Sequence, residues 1–496
     1  MRRRRPLVRR SAVAAAVGLT ALACAAVALG AEIGANDDTG KYAPDGGAVF
    51  YAQMAALGLR ETVITTRYLP SEPGLIQDEA LLDRTIPLAL AAGLRVSLAV
   101  YPYPPREVEA GLATPAGFAA QLTALAERYP DVRRYVLMNE PNQPAFLRPQ
   151  FDAAGNNVSA AVAGRFLAAG YDALKAVDPD ILVIGVGLSP RGNDRPTAPS
   201  NVSTSPVRFL AALGRWYRAS GRLQPLMDGL SFHPYPKSAL DPPERGYPWP
   251  NAGFADLDRI KQALWDAFHD TAQPTTVDGL RLFLDEVGWQ VDTSALPGYT
   301  GLENVAVTDE ATQAAIYGRL VRAAACDPDI GGVDIFGFYD DTPRDSGFQS
   351  ALHRLDGTAR AAAGAVREAI AETAAGRCRS ARAAWRPAQA VVGATRPAVA
   401  VAGARVRVEV GAREGADVVA CLLPGSIAAA RATAALARRT ASSPGCAGAK
   451  ALPSRPGRVT LPRPRGLPRA TVVVRLVAEA NGEREISFTR QVRWPA

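Results

Sequence analysis

Two glutamates, each at the end of an apolar run, are the residues of this chain best placed to do chemistry. Glu140 sits in Tyr-Val-Leu-Met-Asn-Glu-Pro-Asn (135–142), and Glu286 in Leu-Phe-Leu-Asp-Glu-Val-Gly-Trp (282–289). Each run is short, partly β-branched or aromatic, and bounded by Pro or Gly. That is the pattern of a buried parallel strand whose C-terminal end delivers a polar group into a cleft. Two carboxyl groups delivered in this way suit cleavage of a glycosidic bond: one protonates the departing oxygen while the other attacks or stabilises the anomeric carbon.

The elements that must position them alternate along the chain. From residue 31, short apolar runs predict strands at Glu32–Ala35, Thr62–Thr66, Arg95–Val100, Tyr135–Met138, Leu182–Val186, Gly229–Phe232, Leu282–Asp285 and Gly332–Phe336. Ala- and Leu-rich helical stretches lie between them near 47–57, 76–91, 115–129, 160–176, 205–219, 255–269 and 308–325, with a last one at 358–376. Gly-Leu-Arg recurs at 58–60 and 93–95, each time after such a stretch, as a Gly C-cap leading into a strand would. Eight βα units over 31–380 predict a (β/α)8 TIM barrel in preference to a doubly wound sheet. Glu140 and Glu286, three units apart, then face each other across its mouth.

Other strand ends add polar and aromatic groups. Arg67 follows the second run, Asn139 precedes Glu140, His233 and Tyr235 lie in Ser-Phe-His-Pro-Tyr-Pro (231–236), and Trp289 is three residues beyond Glu286. Phe338, Tyr339 and Asp340 follow the eighth run, and Tyr101, Tyr103 and Trp249 fall in loops that would ring the cleft, where aromatic faces stack on sugar rings. Asp37 and Asp38, after the first run, are expected to cap the next helix rather than to bind substrate. Asp285 points to the other face of its strand and is expected to be structural.

Asn-Glu-Pro at the fourth strand, His-x-Tyr at the sixth and Glu followed by Gly-Trp at the seventh resemble the clan A glycoside hydrolases, the 4/7 superfamily of retaining enzymes, and within it families 39 and 5. The resemblance covers residues 31–378. It implies that Glu140 is the general acid/base and Glu286 the nucleophile, that Asn139 bonds the hydroxyl next to the anomeric carbon, and that Tyr235 holds the nucleophile. His233 would line the same subsite, and Arg67 would stand beside the nucleophile. Trp289, Tyr101 and Tyr339 complete the expected substrate contacts. The chain departs from the pattern at the eighth strand, where many members have Trp and this one has Phe336-Gly337-Phe338-Tyr339, and after the third, where Tyr101-Pro102-Tyr103-Pro104 replaces a family 5 His. Environment would divide the roles: a Glu against apolar walls holds a proton at neutral pH, whereas one near Arg67 and a Tyr hydroxyl stays ionised. A carbohydrate-binding barrel without turnover is the competing expectation, and intact Glu140 and Glu286 count against it.

Charge divides the chain into zones. Residues 1–30 carry six Arg and no acid; 379–496 carry 20 basic and 6 acidic side chains, a net +14; the 30 basic and 42 acidic side chains between them leave −12. The N-terminus, with its Arg cluster and the apolar stretch Ser11–Gly30, reads as a signal peptide or, if uncleaved, a membrane anchor, and so predicts a secreted or surface-held protein. Residues 381–389 read as a linker and 390–496 as a basic, sandwich-like β-domain, with Val399–Val410 alternating as a strand does and Asn481-Gly482 marking a hairpin. The charge of this domain suits attachment to an anionic cell-envelope polymer. Four cysteines follow the leader, and Cys326–Cys378 with Cys421–Cys446 is the simplest of three pairings. With three His in all and no His-Glu-x-x-His, a metal site is not expected. No dinucleotide fingerprint, phosphate loop or Gly-x-Ser-x-Gly is present, so no cofactor is expected either. Nucleic acid is not expected as a partner, since an exported chain without a basic motif interleaved with aromatics argues against it.

Overall fold

The computed structural model describes residues 30–375 apart from 73, residues 377–378 and 385–387, and most of 397–494. Within that last stretch 412–415, 429–430, 433–434, 437–438, 452–455, 464–467 and 479–484 are not described. Nearly all of the leader and most of the linker therefore lie outside the described residues. No helix among the described residues is long and apolar enough to cross a membrane.

Eight strands form the first unit: β1 (Glu32–Asn36), β2 (Glu61–Tyr68), β3 (Arg95–Pro102), β4 (Arg134–Leu137), β5 (Leu182–Leu188), β6 (Gly229–Phe232), β7 (Arg281–Val287) and β8 (Ile330–Ile335). They close in sequence order into one parallel barrel, β1 pairing with both β2 and β8. The helices outside it are α1 (Thr39–Tyr42), α2 (Ala48–Leu57), α3 (Glu79–Ala91), α4 (Pro105–Glu109), α5 (Pro115–Arg128), α6 (Ser159–Val177), α7 (Pro206–Ser220), α8 (Leu257–Phe268), α9 (Glu310–Ala325) and α10 (Ala361–Ala374). The short α1 and α4 were not expected; both lie in βα loops on the cleft side.

The expected punctuation operates. Gly58 and Gly93 adopt left-handed conformations (φ 103° and 81°), and the next residue's N–H turns back onto Met54 O and Ala89 O, at 3.1 and 3.2 Å. The chain thus leaves α2 and α3 directly into β2 and β3. Inside the barrel, Phe283 packs with Val136 and Ile184. Gly229 and Gly331 make room for it, since a Cβ there would lie 2.5 and 2.6 Å from its ring. Carboxyl groups share the same interior: Glu61 pairs with Arg134 at 2.8 Å and accepts from Ser97, and burial pushes the Asp334 carboxyl well above the usual range.

The second unit is all β: β9 (Ala398–Ala402), β10 (Arg405–Val410), β11 (Ala416–Pro424), β12 (Cys446–Ala451), β13 (Gly457–Pro462), β14 (Arg469–Ala478) and β15 (Glu485–Arg493). These make two antiparallel sheets, β13-β10-β9 and β12-β11-β14-β15. Val406, Val408 and Leu461 of one sheet share a core with Val418, Leu422, Val472 and Val474 of the other, with Trp494 beside them. Residues 399–410 are not one strand: Gly403 takes a positive φ (54°) and turns the run into the β9–β10 hairpin. β14 and β15 pair as expected, while the Asn481-Gly482 turn falls outside the described residues. Both disulfides join the expected partners: Cys326–Cys378 ties the end of α9 to the segment after α10, and Cys421–Cys446 links β11 to β12 across the ladder.

Candidate active site

The C-terminal ends of the barrel strands surround a cavity of about 870 Å³. Glu140 reaches it through an unusual piece of backbone. β4 stops at Leu137, Met138 N–H bonds Val100 O at 3.0 Å, and both Met138 (φ 70°) and Glu140 (φ 35°) adopt positive φ. Left-handed backbone at non-glycine residues costs about 1–3 kcal/mol and persists where the surroundings enforce it. Here Glu140 N–H donates to Gly187 O at 2.7 Å, and Gly187 must lack a side chain because a Cβ would meet Met138 O at 2.9 Å. Buried Asn142 locks the same turn: its amide donates to Ser189 O (3.1 Å) and Thr204 O (2.9 Å), and its Oδ1 accepts from Ser189 N–H. Opposite, the β7–β8 register shifts between Leu284 and Val287, an irregularity that re-aims Glu286 toward the cavity.

The two carboxylates meet at one nitrogen. His233 Nδ1 lies 3.2 Å from Glu140 Oε1 and 3.5 Å from Glu286 Oε2, so these oxygens are no more than about 6.7 Å apart, the two distances laid end to end. His233 Nε2 faces Asp285 Oδ1 at 3.6 Å, and Asp285 is itself held by the Ser231 hydroxyl. The Tyr235 hydroxyl donates to Glu286 Oε2 at 3.1 Å, and its ring packs against Phe336 and Phe348. Burial alone would lower the His233 pKa, but the charges of Glu286 and Asp285 and its contact with Glu140 hold it well above the usual range. The carboxyl groups gathered around His233 thus favour its charged form.

Electrostatics correct one expectation. Glu286, expected to stay ionised, is pushed up to about 7, chiefly by burial; the His233 charge and the Tyr235 hydrogen bond oppose that shift, while the neighbouring carboxylates of Glu140 and Asp285 add to it. Arg67 does not supply the expected counter-charge. Its Nε bonds the Tyr101 hydroxyl at 3.3 Å and its guanidinium lies 4.5 Å over the Tyr103 ring.

The structure brings Glu140, Glu286, Asn139, Tyr235, Arg67, Tyr101 and Tyr339 to the cavity wall, with His233 buried between the carboxylates. Trp289 is not among them. It is 1% exposed, donates its indole N–H to Asp241 O at 2.8 Å and packs on Tyr317, so it belongs to the core. Its strand has turned by that point, which the spacing from Glu286 did not show. Trp249 does not line the cavity either; it stands beside Arg208. Asp38 makes no capping bond to α1. It accepts from Thr65 N–H at 2.9 Å and pairs with Lys41, while Asp37 accepts from Thr39, Phe338 and Tyr339 N–H, fastening the end of β8. Asp340 is bound by Arg360 and the Tyr299 hydroxyl, which fixes the loop after β8. Phe336, of the run that follows the eighth strand, lines the cavity with Tyr339.

Sequence reading missed two residues that orient the site. Asn142 was visible as the last letter of Asn-Glu-Pro-Asn, a short polar side chain two residues past Glu140. Asp285, expected on the far face of its strand in a structural role, lines the same cavity as Glu286 and faces His233, because the irregularity at the end of β7 breaks the alternation. Among the described residues no group of three or more His, Cys, Asp or Glu side chains could hold a metal ion.

No protein-family model matches the chain, and no curated protein matches it. Solved structures do. The chain is similar to a family 39 glycoside hydrolase from the gut symbiont Bacteroides cellulosilyticus WH2, with 14% identity, 88% of this chain and 82% of that one covered, and a TM-score of 0.46. It is similar to a monomeric β-xylosidase from Caulobacter crescentus CB15, with 15% identity, coverage of 88% and 96%, and a TM-score of 0.43. A broad-specificity endoglucanase of family 5 from Clostridium longisporum gives 12% identity, coverage of 70% and 97%, and a TM-score of 0.44. At such identities the likeness concerns the fold, which the closed strand order of this chain establishes by itself.

Proposed function

We propose that the barrel is a retaining glycoside hydrolase that cleaves O-glycosidic bonds of an oligo- or polysaccharide by double displacement. The observation that carries this reading is the convergence of Glu140 and Glu286 on His233 Nδ1, at 3.2 and 3.5 Å. Retention calls for about 5–5.5 Å between the two carboxyl groups and inversion for about 6.5–9.5 Å, so that a water can enter; the bound of about 6.7 Å closes most of the inverting range and supports a covalent intermediate. In the first step Glu140 gives its proton to the departing oxygen while ionised Glu286 attacks the anomeric carbon. In the second, Glu140 takes a proton from water as that water displaces Glu286. Tyr235 orients the attacking oxygen, and the His233 imidazolium stabilises the ionised carboxylates through both steps. Tyr339, Tyr101 and Phe336 offer apolar faces to a sugar, and Asn139 and Arg67 offer hydrogen bonds.

The same reading places the enzyme outside the cytoplasm, in keeping with two disulfides, and assigns its basic second domain to holding it on an anionic envelope polymer. A panel of 4-nitrophenyl glycosides tests the activity, with NMR on the first-formed anomer testing the stereochemistry. Turnover with retained configuration is expected, together with its loss in Glu286→Ala. Inverted product contradicts retention, and binding without turnover favours a carbohydrate-binding barrel.

A further inference from the structure

The charged side chains lining the cavity are unevenly committed. Every carboxylate already faces a donor: Asp37 accepts from Phe338 and Tyr339 N–H, Asp38 pairs with Lys41, Asp285 accepts from Ser231, Asp341 accepts from Phe348 N–H at 3.1 Å, and Glu140 and Glu286 face His233. The three cations of the wall, Arg67, Arg191 and Lys237, differ. The Arg67 guanidinium meets Tyr101 and Tyr103, and among the described residues no carboxylate pairs with it, with Arg191 or with Lys237. This occurs in a unit whose net charge is −12, where a basic side chain without an acid beside it runs against the local supply.

The positions of the two exposed cations are also specific. Arg191 follows β5 and Lys237 follows β6, adjacent strands on the arc between Glu140 and Glu286, whereas Arg67 and Tyr101 rise from β2 and β3 across the barrel. Tyr247 lines the cavity with them, close enough to Arg191 to feel its charge, and donates its hydroxyl to Tyr235 O at 3.1 Å. A sugar held by Arg67, Tyr101 and Asn139 for attack by Glu286 leaves the β5–β6 arc to the neighbouring unit, the one that departs when Glu140 protonates the bridging oxygen.

We propose that this arc is a subsite for an acidic saccharide, in which Arg191 and Lys237 bind a carboxylate or sulfate on the departing unit. The assignment rests on the glycosidase reading above. Guanidinium matches either anion with two parallel hydrogen bonds, and the ammonium adds a point charge that needs no fixed geometry.

The test compares a 4-nitrophenyl glycoside of whichever sugar the panel identifies with the same glycoside bearing a carboxylate on the aryl ring. The anionic form should have a kcat/KM about tenfold higher, the size expected of two exposed ion pairs acting together. That ratio should fall toward one in about 0.5 M salt, which shortens the Debye length to a few ångströms, and in the R191Q/K237Q variant. A ratio at or below one, or one that the double variant leaves intact, overturns the subsite. If no glycoside turns over, the glycosidase reading fails, and binding decides the subsite separately. Calorimetry on the E140Q/E286Q protein would compare trigalacturonate, a sulfated galactose trimer and neutral xylotriose. One acidic trimer should bind about tenfold tighter than the neutral one and lose that advantage in the R191Q/K237Q background; which of the two binds identifies the anion. Equal affinities, no binding of any trimer, or an advantage insensitive to the two cations overturns the proposal.

Discussion

The two halves of the molecule treat charge in opposite ways. The barrel, net −12, buries ionisable side chains: Glu61, Asp285, Asp334, His233, Lys261 and Arg360 are all less than 9% exposed. The β-sandwich, within a segment of net +14, has a core of Val, Ala and Leu, and among the described residues its one buried polar side chain is Thr471. Its arginines face outward, as on β10, where Arg405 and Arg407 alternate with buried Val406 and Val408. A buried ion pair is seldom more stable than well-packed apolar side chains of the same volume. The sandwich shows that this chain builds an apolar core where nothing else is asked of it. At the barrel mouth the buried charges of His233 and Asp285 stand beside Glu140 and Glu286 and so serve the site, at a cost in stability, whereas Lys261, paired with Asp327 and Asp329, serves the scaffold.

The sharpest way to break this contrast is to remove the site's charges one at a time. Glu286→Ala should lower kcat/KM on aryl glycosides by more than about 10⁴-fold, since the attacking atom is gone. Glu140→Ala should keep slow turnover of substrates whose leaving group needs no proton, with azide restoring the rate on a β-glycoside. Equal, unrescuable loss in both would remove the division of labour. A smaller effect is expected from pH. With Glu286 raised to about 7, and only its ionised form able to attack, kcat/KM should climb through about pH 7. Tyr235→Phe, which deletes a hydrogen bond to that ionised form, should move the limb upward. A profile already flat at pH 5 would refute the shift.

Stability tests the cost directly. Glu286 binds its proton more tightly folded than unfolded, so folding loses free energy as pH rises from the unfolded pKa, 4.5, to about 7. Glu286→Gln, which cannot ionise, should be more stable than the parent above pH 7 by up to about 3 kcal/mol, and the gain should vanish near pH 4. Chemical denaturation at the two pH values measures it; no gain at pH 8 would mean the charge is well accommodated. The sandwich should respond least. Arg405→Gln with Arg407→Gln should change its stability by no more than about 0.5 kcal/mol, yet weaken salt-sensitive binding of the whole protein to an anionic cell-wall fraction. Binding indifferent to salt and to both arginines would leave the domain as a support for the barrel.

How much of this was legible depends on period and length. The eight strands could be read because each is a short apolar run between a helix C-cap and a polar end, and a parallel barrel repeats that signal eight times. Glu140, Glu286, His233 and Tyr235 could be read because strand ends project into one cleft whatever the loops do. Trp289 could not: three residues past the strand end, its direction depends on the path of the loop, which takes it to Asp241 O and into the core. The raised pKa of Glu286 also escaped, since it follows from burial and from the neighbouring carboxyl groups of Glu140 and Asp285, a matter of tertiary packing. In the sandwich, alternation over 399–410 is the same for one strand as for a hairpin, and the turn at Gly403 decides between them.

In the proposed reaction Glu286 is the group that bonds to the sugar. Incubating the protein with the 2-deoxy-2-fluoro derivative of its best aryl glycoside, then locating the added mass by peptide mapping, tests this most directly. A single fluoroglycosyl adduct on the peptide containing Glu286, absent in Glu286→Gln, is the predicted result. An adduct on another residue, or steady turnover with no adduct and an inverted product, would contradict it.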